Sequence, residues 1–218
     1  MKREVTLTSE QKRLYKEMLK FATTQLASEE FVTATVAIVQ ILKLHQILCG
    51  HATDEYGGMH EIEENRTKEL IAILGEYDGK AIIWCSADVQ KVYNAIEKEF
   101  GPGSCARFWG GNRSSREEEE ARFKNDETCR FMVATAAAGG RGREWSVANL
   151  VAYYSNTNNL EHRAQSEERP QAIGKRDPVT YIDLVVPDTV DDKIIYALRN
   201  KIDMASTITG DKYMEWLV

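Results

Sequence analysis

Ala81-Ile82-Ile83-Trp84-Cys85, Phe131-Met132-Val133-Ala134 and Leu150-Val151-Ala152-Tyr153-Tyr154 are short, uninterrupted apolar runs, and the way they recur decides the fold. Runs of four or five apolar residues closed by polar or small ones suit strands buried on both faces, and are too short for buried helices. Two more segments, 106–109 and 180–185, have the same character. Between these strands lie amphipathic stretches at 88–100, 115–124, 161–169 and 189–201, which read as helices. Strand and helix in alternation predict an α/β domain: a parallel sheet with helices on both faces. In such sheets ligands bind at the carboxyl ends of the strands, so the loops there are where chemistry is sought.

Working outward, the segment ahead of this pattern is helical. Thr8-Ser9-Glu10-Gln11 has the capping-box pattern, and Leu14, Met18 and Phe21 follow at helical spacing. The apolar stretch 31–48, with Val32, Val36, Val39, Leu42 and Ile47, reads as a buried helix that ends near Gly50. From 51 to 60 there is no periodicity, so this piece reads as a connection. The acidic run 117–120 reads as a solvated helix face. There is no internal repeat.

Length and composition bound the class. The 218 residues suffice for one full core plus an appendage, and 43% hydrophobic with 28% charged residues is ordinary for a globular domain. No apolar run has the length a membrane span needs. The start, Met1-Lys2-Arg3-Glu4, is charged and leads into a helix signal with no secretory core, so a cytoplasmic or nucleoid-associated protein is expected. Cys49, Cys85, Cys105 and Cys129 form no C-x-x-C pair and read as small buried hydrophobes. A net charge of −6 runs against binding a phosphate backbone, unless a local basic stripe is set against an acidic far side.

Two loops carry candidate chemistry. Thr135-Ala136-Ala137-Ala138-Gly139-Gly140-Arg141-Gly142 follows the third strand, and successive N–H groups in such a loop make an anion-binding concavity; a purely structural turn fits equally well. There is no G-x-x-x-x-G-K-[ST], and Gly79-Lys80 lacks both the spacing and the hydroxyl, so the chain has no P-loop. The second candidate is Gln165-Ser166-Glu167-Glu168-Arg169 with Pro170-Gln171-Ala172-Ile173-Gly174-Lys175-Arg176. An arginine at a helix end can reach across an interface to a transferring phosphoryl group; alone, it reads as a surface partner of Glu167 or Glu168. His45, Cys49, His51 and His60 match no standard zinc spacing, so no metal site is assigned. Trp84, Trp109, Tyr153 and Tyr154 could stack on bases, but three of them end apolar strands and core packing is the better reading. Tyr213, Trp216 and Leu217 suggest an amphipathic tail.

Taken in order, these stretches resemble the second lobe of the Swi/Snf family of superfamily-two ATPases. Leu7-Thr8-Ser9-Glu10-Gln11 with Leu14-Tyr15 is similar to the entry into that lobe, and Leu44-His45-Gln46-Ile47-Leu48-Cys49-Gly50 to the next helix. Arg66-Thr67-Lys68-Glu69-Leu70 and Ala81 to Ser86 resemble motif IV, and Gly110-Gly111-Asn112 with Arg116 and Phe123 the following block. The 135–142 loop resembles motif V, and Gln165 with Arg169 motif VI. Val179-Thr180-Tyr181-Ile182-Asp183-Leu184 and Thr189-Val190-Asp191-Asp192-Lys193-Ile194 are similar to the closing strand and helix.

The resemblance implies a RecA-like lobe at 61–204, a helical preface at 1–60 and a C-terminal helical tail at 205–218. It implies an ATP-dependent DNA translocase in which ATP and Mg are held mainly by an N-terminal P-loop lobe. Arg169 takes the arginine-finger place, Gln165 lines the nucleotide cleft, and Gly140 and Gly142 shape motif V. Ser86 and Thr135 fall where family members touch double-stranded DNA, and Arg113, Arg116, Arg141, Arg143 and Lys175 are candidates for the basic stripe, with Arg116 and Arg141 assigned to DNA binding. No membrane is implied. The sequence departs from the pattern at Ala172, where the family has a second arginine, at Gln171, where histidine is common, and at Arg143-Glu144-Trp145, where apolar and amide residues are usual. Pro170 removes an N–H beside them. Lys175 and Arg176 are candidates to compensate for Ala172. The runner-up reading is a catalytically degenerate lobe acting as a nonenzymatic DNA or protein interaction module. A flavodoxin-like nucleotide-binding domain fits the alternation but not the ordered motifs.

Overall fold

The computed structural model describes residues 1–28, 34–54, 56, 58–86, 88–139 and 143–202. In chain order the elements are β1 (Lys2–Glu4), α1 (Ser9–Ser28), α2 (Ala34–Leu48), β2 (His51–Thr53), β3 (Met59–Glu61), α3 (Arg66–Gly75), β4 (Lys80–Trp84) and α4 (Val89–Phe100). They continue with β5 (Cys105–Phe108), α5 (Arg116–Asn125), β6 (Phe131–Ala134), β7 (Ala148–Tyr153), α6 (Leu160–Glu168), β8 (Thr180–Val185) and α7 (Val190–Arg199). Two compact units result: Met1–Arg3 with Thr67–Leu184, and Glu4–Arg66 with Val185–Val218. No helix among the described residues is long and apolar enough to cross a membrane.

The first unit is built on a six-stranded sheet of order β1-β8-β7-β4-β6-β5. The pairings β4/β6, β4/β7, β5/β6 and β7/β8 are all parallel. Ala81 to Trp84 and all of β6 are buried, as strands covered on both faces must be. One face is packed by Ile82, Trp84, Ala106, Phe108, Met132 and Tyr153 against Phe123 of α5 and Trp145. Each expected strand is present within two residues of its predicted start.

β1 was not expected from the charged stretch that forms it. Its pairing is through backbone: the Met1 ammonium donates to the Tyr181 carbonyl at 2.6 Å, and the Met1 carbonyl accepts from Asp183 N at 3.0 Å. An edge strand needs no apolar run, so its side chains carry no signal. The helix α3 was likewise not anticipated; it buries Leu70, Ile73 and Leu74.

In the second unit, α1 opens on the predicted reciprocal cap: Thr8 N donates to Gln11 Oε1 at 3.1 Å and Gln11 N to Thr8 Oγ1 at 3.2 Å. Its buried stripe, however, runs through Gln11, Tyr15 and Ala22. Leu14, Met18 and Phe21 instead line an open groove with Lys43 and Ile47. The polar Gln11 is buried because its amide donates to the Ile47 carbonyl at 2.9 Å. The connection expected at 51–60 contains an antiparallel hairpin, β2 with β3. Asp54 closes it, accepting from Tyr56 N at 2.9 Å and Gly58 N at 2.7 Å, a local side-chain turn that periodicity does not register.

Asp191, in the first turn of α7, is the polar centre of this unit. It pairs with Arg66 and with His45 Nε2 at 3.3 Å, and accepts from Val186 N at 3.1 Å. Tyr15 joins it, its hydroxyl accepting from Val190 N at 3.0 Å.

Candidate functional site

The parallel register sets Phe108, Ala134, Trp84, Tyr153 and Asp183 in one line across the sheet. The loops just beyond this line form the carboxyl edge, where α/β sheets bind ligands. Ser86 stands there, exposed, its backbone N–H donating to Ser155 Oγ at 2.8 Å and its hydroxyl 2.9 Å from the same atom. Thr135 begins the Gly-rich loop, and its carbonyl accepts from Ala138 N and Gly139 N, both at 3.0 Å. A Cβ at Gly139 would lie 3.1 Å from the Trp84 ring, so a glycine there lets the loop close down on the indole. Gly140, Arg141 and Gly142 lie outside the described residues, as does the 205–218 tail.

The loop returns to the sheet through Trp145, which is fully buried. Its ring stacks on Trp84 at 5.5 Å and meets Phe108 edge-on at 5.4 Å. The indole N–H donates to Glu120 Oε1 at 3.1 Å. Glu120 therefore departs from the solvated face expected of the acidic run: it is 5% exposed and pairs with Lys124 at 2.8 Å and Arg143 at 2.7 Å. The charge pattern of α5 is alike on all sides, so only the tertiary partners separate Glu120 from the exposed Glu117 and Glu118.

α6 is pinned from below by Arg163. The Asn159 side chain caps its start, accepting from His162 N at 3.0 Å. Arg163 pairs with Asp183 of β8 at 2.6 Å, donates to Asn156 and to Glu167 Oε1, and lies flat on the Tyr153 ring at 3.4 Å. Tyr153 and Ser166 share a 2.8 Å hydrogen bond beside it. Residue typing alone did not pick out this network; its one sequence signal is Asp183, an acid inside an otherwise apolar strand.

Arg169 sits at the end of α6. Its Nη1 donates to the Arg143 carbonyl at 2.8 Å, and its own carbonyl accepts from Trp145 N at 2.7 Å. This reciprocal pair fastens the end of α6 to the loop after the glycines. Burial pulls the guanidinium pKa down, with Glu168 opposing. Gln165 turns to Glu161, donating to Oε1 at 2.8 Å. Lys175 is committed to three carbonyls, those of Ser146 at 2.8 Å, Ala148 at 2.6 Å and Pro170 at 3.0 Å. Arg143, Glu144, Gln171, Ala172 and Ile173 line an open cavity of about 520 Å³.

Three arginines gather at the end of β5. Burial, then Arg113 and Arg143, lower the pKa of Arg116, which shows how close these like charges stand. Arg116 and Arg143 hold their guanidinium carbons 5.2 and 5.5 Å from the centroid of one ring, Phe108. Arg116 also donates to the Trp109 carbonyl, whereas Arg113 is exposed. The structure thus brings Arg116 and Arg143 together on the Phe108 ring, bonds Arg169 to the Arg143 backbone, and gives Lys175 a bracing role. Of the candidates considered for zinc, His45 is spent on Asp191 and His60 on Asp54 at 2.7 Å.

No protein-family model matches the chain. The chain is 22% identical over 197 residues to the ATP-dependent helicase fft3 of Schizosaccharomyces pombe, covering 85% of this chain and 21% of that protein. The chain thus spans about a fifth of that relative's length. The SWI2/SNF2 ATPase core of Sulfolobus solfataricus in complex with dsDNA superposes with a TM-score of 0.70 at 23% identity, over 92% of this chain and 43% of that one. The C-terminal domain of the Sulfolobus solfataricus SWI2/SNF2 ATPase superposes with a TM-score of 0.68 at 21% identity, over 98% of this chain and 91% of that domain. The chain has the RecA-like α/β fold of that C-terminal domain, and the resemblance read from its motifs agrees with it in position.

Proposed function

We propose that this chain is the second motor lobe of an ATP-dependent DNA translocase, presenting Arg169 to a nucleotide held by a P-loop lobe. The observation that supports this most is the reciprocal bonding of Arg169 with Arg143 and Trp145, which fastens the end of α6 to the segment whose Arg143 and Glu144 line an open cavity with Ala172. The donor set suits half of a nucleotide site. Guanidinium groups can face phosphate oxygens. The resemblance assigns magnesium and the phosphate cradle to the partner lobe.

ATP supplies the phosphoanhydride whose cleavage drives the cycle. On this chain, Arg169 offsets charge developing on the transferred phosphoryl group, a contribution realised only when the two lobes close. The resemblance assigns Gln165, Gly140 and Gly142 to the nucleotide cleft as well. Ser86, Thr135, Arg116 and Arg141 meet the DNA backbone, positioning a duplex without reading its sequence. Alternation between closed and open lobes, both on one strand, moves the motor along DNA.

The test is ATP hydrolysis by the chain joined to its P-loop lobe, with and without duplex DNA. The expected result is DNA-stimulated turnover that falls by about 10²–10³-fold in Arg169→Ala, the usual scale for a lost transition-state charge. Ala172 and the net charge of −6 favour the second reading, a nonenzymatic interaction module. Duplex binding without hydrolysis, unaffected by Arg169→Ala, would establish that module instead.

A further inference from the structure

We infer that Arg143 supplies the second phosphate-facing cation that Ala172 does not, so that the nucleotide face carries the pair Arg169 and Arg143. The inference rests on the nucleotide-facing reading of Arg169 and deepens it. Two departures from the resembled pattern, an arginine gained at 143 and an arginine missing at 172, are 29 positions apart in sequence yet line one cavity. The two cations nearest Ala172 in sequence do not fill the gap in the same way. Lys175 donates to three carbonyls, which uses every proton of its ammonium group. Arg176 is exposed and does not line the cavity.

Arg143 has the capacity required. Its Nη1 is paired with Glu120, and its Nε and Nη2 have no hydrogen-bond partner among the described residues, leaving donors for an anion. Glu120 does not cancel it, because the same carboxylate also pairs with Lys124 and accepts from the Trp145 indole. One acid is thus shared between two cations. Arg116 adds positive potential from beside the same Phe108 ring, while Glu144, which also lines the cavity, accepts from Ser146 at 2.6 Å. The Arg169 bond to the Arg143 carbonyl ties the two arginines into one rigid unit. A polyphosphate is the anion such a pair suits, since two guanidinium groups on segments joined by a hydrogen bond can take oxygens of neighbouring phosphates.

The test titrates inorganic tripolyphosphate into the 218-residue chain by calorimetry, with arginine Nε–Hε resonances followed by NMR. Shifts are expected at Arg143 and Arg169, with affinity falling about tenfold in Arg143→Leu, the scale of one charge-assisted contact. Leucine restores an apolar residue at 143 and leaves Glu120 its other two partners, so the fold should survive; unchanged amide spectra elsewhere check this. The double variant Arg143→Leu/Ala172→Arg should recover affinity to within about threefold of the parent. Binding by Arg143→Leu as tight as the parent's, a double variant no better than Arg143→Leu, or no binding by the parent would each overturn the inference. If the tripolyphosphate results hold but hydrolysis with the P-loop lobe ignores both Arg143→Leu and Arg169→Ala, the motor reading fails and the anion site stands.

Discussion

Each unit carries a buried arginine–aspartate pair, and the two pairs are built for different work. Arg66 and Asp191 have side chains 1% and 3% exposed, and their neighbours are His45 and the backbone at Val186. Arg163 and Asp183 are 9% and 3% exposed, and the arginine also reaches outward to Glu167 and lies on Tyr153. The first pair joins α2, the start of α3 and α7. The second holds the helix that ends at Arg169. Buried ion pairs contribute little net stability over apolar replacements, but stranding one partner is expensive. The same chemistry therefore makes Arg66 an architectural residue and Arg163 a positioning one.

The sharpest way to break this comparison is to truncate both arginines. Arg66→Ala strands Asp191 and should cost about 3–5 kcal/mol in urea unfolding, the usual scale for an uncompensated buried charge. Arg163→Ala should cost less, about 2 kcal/mol, because Asn156 still donates to Asp183 at 3.2 Å and the site opens toward solvent. Its larger effect should be on turnover of the chain joined to its P-loop lobe, about tenfold lower in kcat with little change in KM, since a misplaced Arg169 acts on the transition state. Equal stability losses, or a turnover loss no greater than the fraction unfolded, would dissolve the distinction.

pH separates the pairs next. Burial alone would push the His45 imidazolium down, but the Cys49 sulfur and the Asp191 carboxylate outweigh it and raise its pKa to about 10. Burial likewise opposes ionisation of Asp191, and Arg66 and His45 overcome it, holding that carboxyl well below the ordinary range. The His45 contribution is full below its unfolded pKa of about 6.5 and is lost as pH rises toward 10; that of Asp191 is full above about pH 4 and lost as pH falls. Stability should thus plateau between about pH 4 and 6.5 and decline on the alkaline side. Arg163, whose pKa rises despite burial through Tyr153 and Asp183, stays charged throughout. Urea midpoints at pH 6 and pH 9 should differ in the parent and converge in His45→Gln; an unchanged difference would remove His45 as its source.

The smallest effect tests the loop that carries Arg143. Trp145→Phe keeps an aromatic ring against Trp84 and deletes the indole donor to Glu120, and should cost about 1 kcal/mol. A cost well above that in thermal or urea unfolding would mean that ring volume, more than the hydrogen bond, anchors the loop.

How far the sequence reached depends on the range of the forces involved. The strands β4 to β8, their helices and the parallel order were legible because burial on both faces demands continuous apolar runs, and the cap at Thr8 because its partners are three residues apart. The edge strand β1, the Asp54 turn and the buried face of α1 were not, since backbone pairing, a local carboxylate turn and a glutamine satisfied by a distant carbonyl leave no hydrophobic period. Of the candidate site, the sequence determined which residue types stand at 86, 116, 135, 165 and 169 and that Ala172 breaks the pattern. Only the tertiary structure decided that Lys175 braces carbonyls, that Glu120 is buried beneath Arg143 and Trp145, and that Arg143 and Ala172 share a cavity. Those outcomes turn on electrostatic and hydrogen-bond partners supplied from remote parts of the chain, and such partners exist only once the sheet has brought the segments around it together.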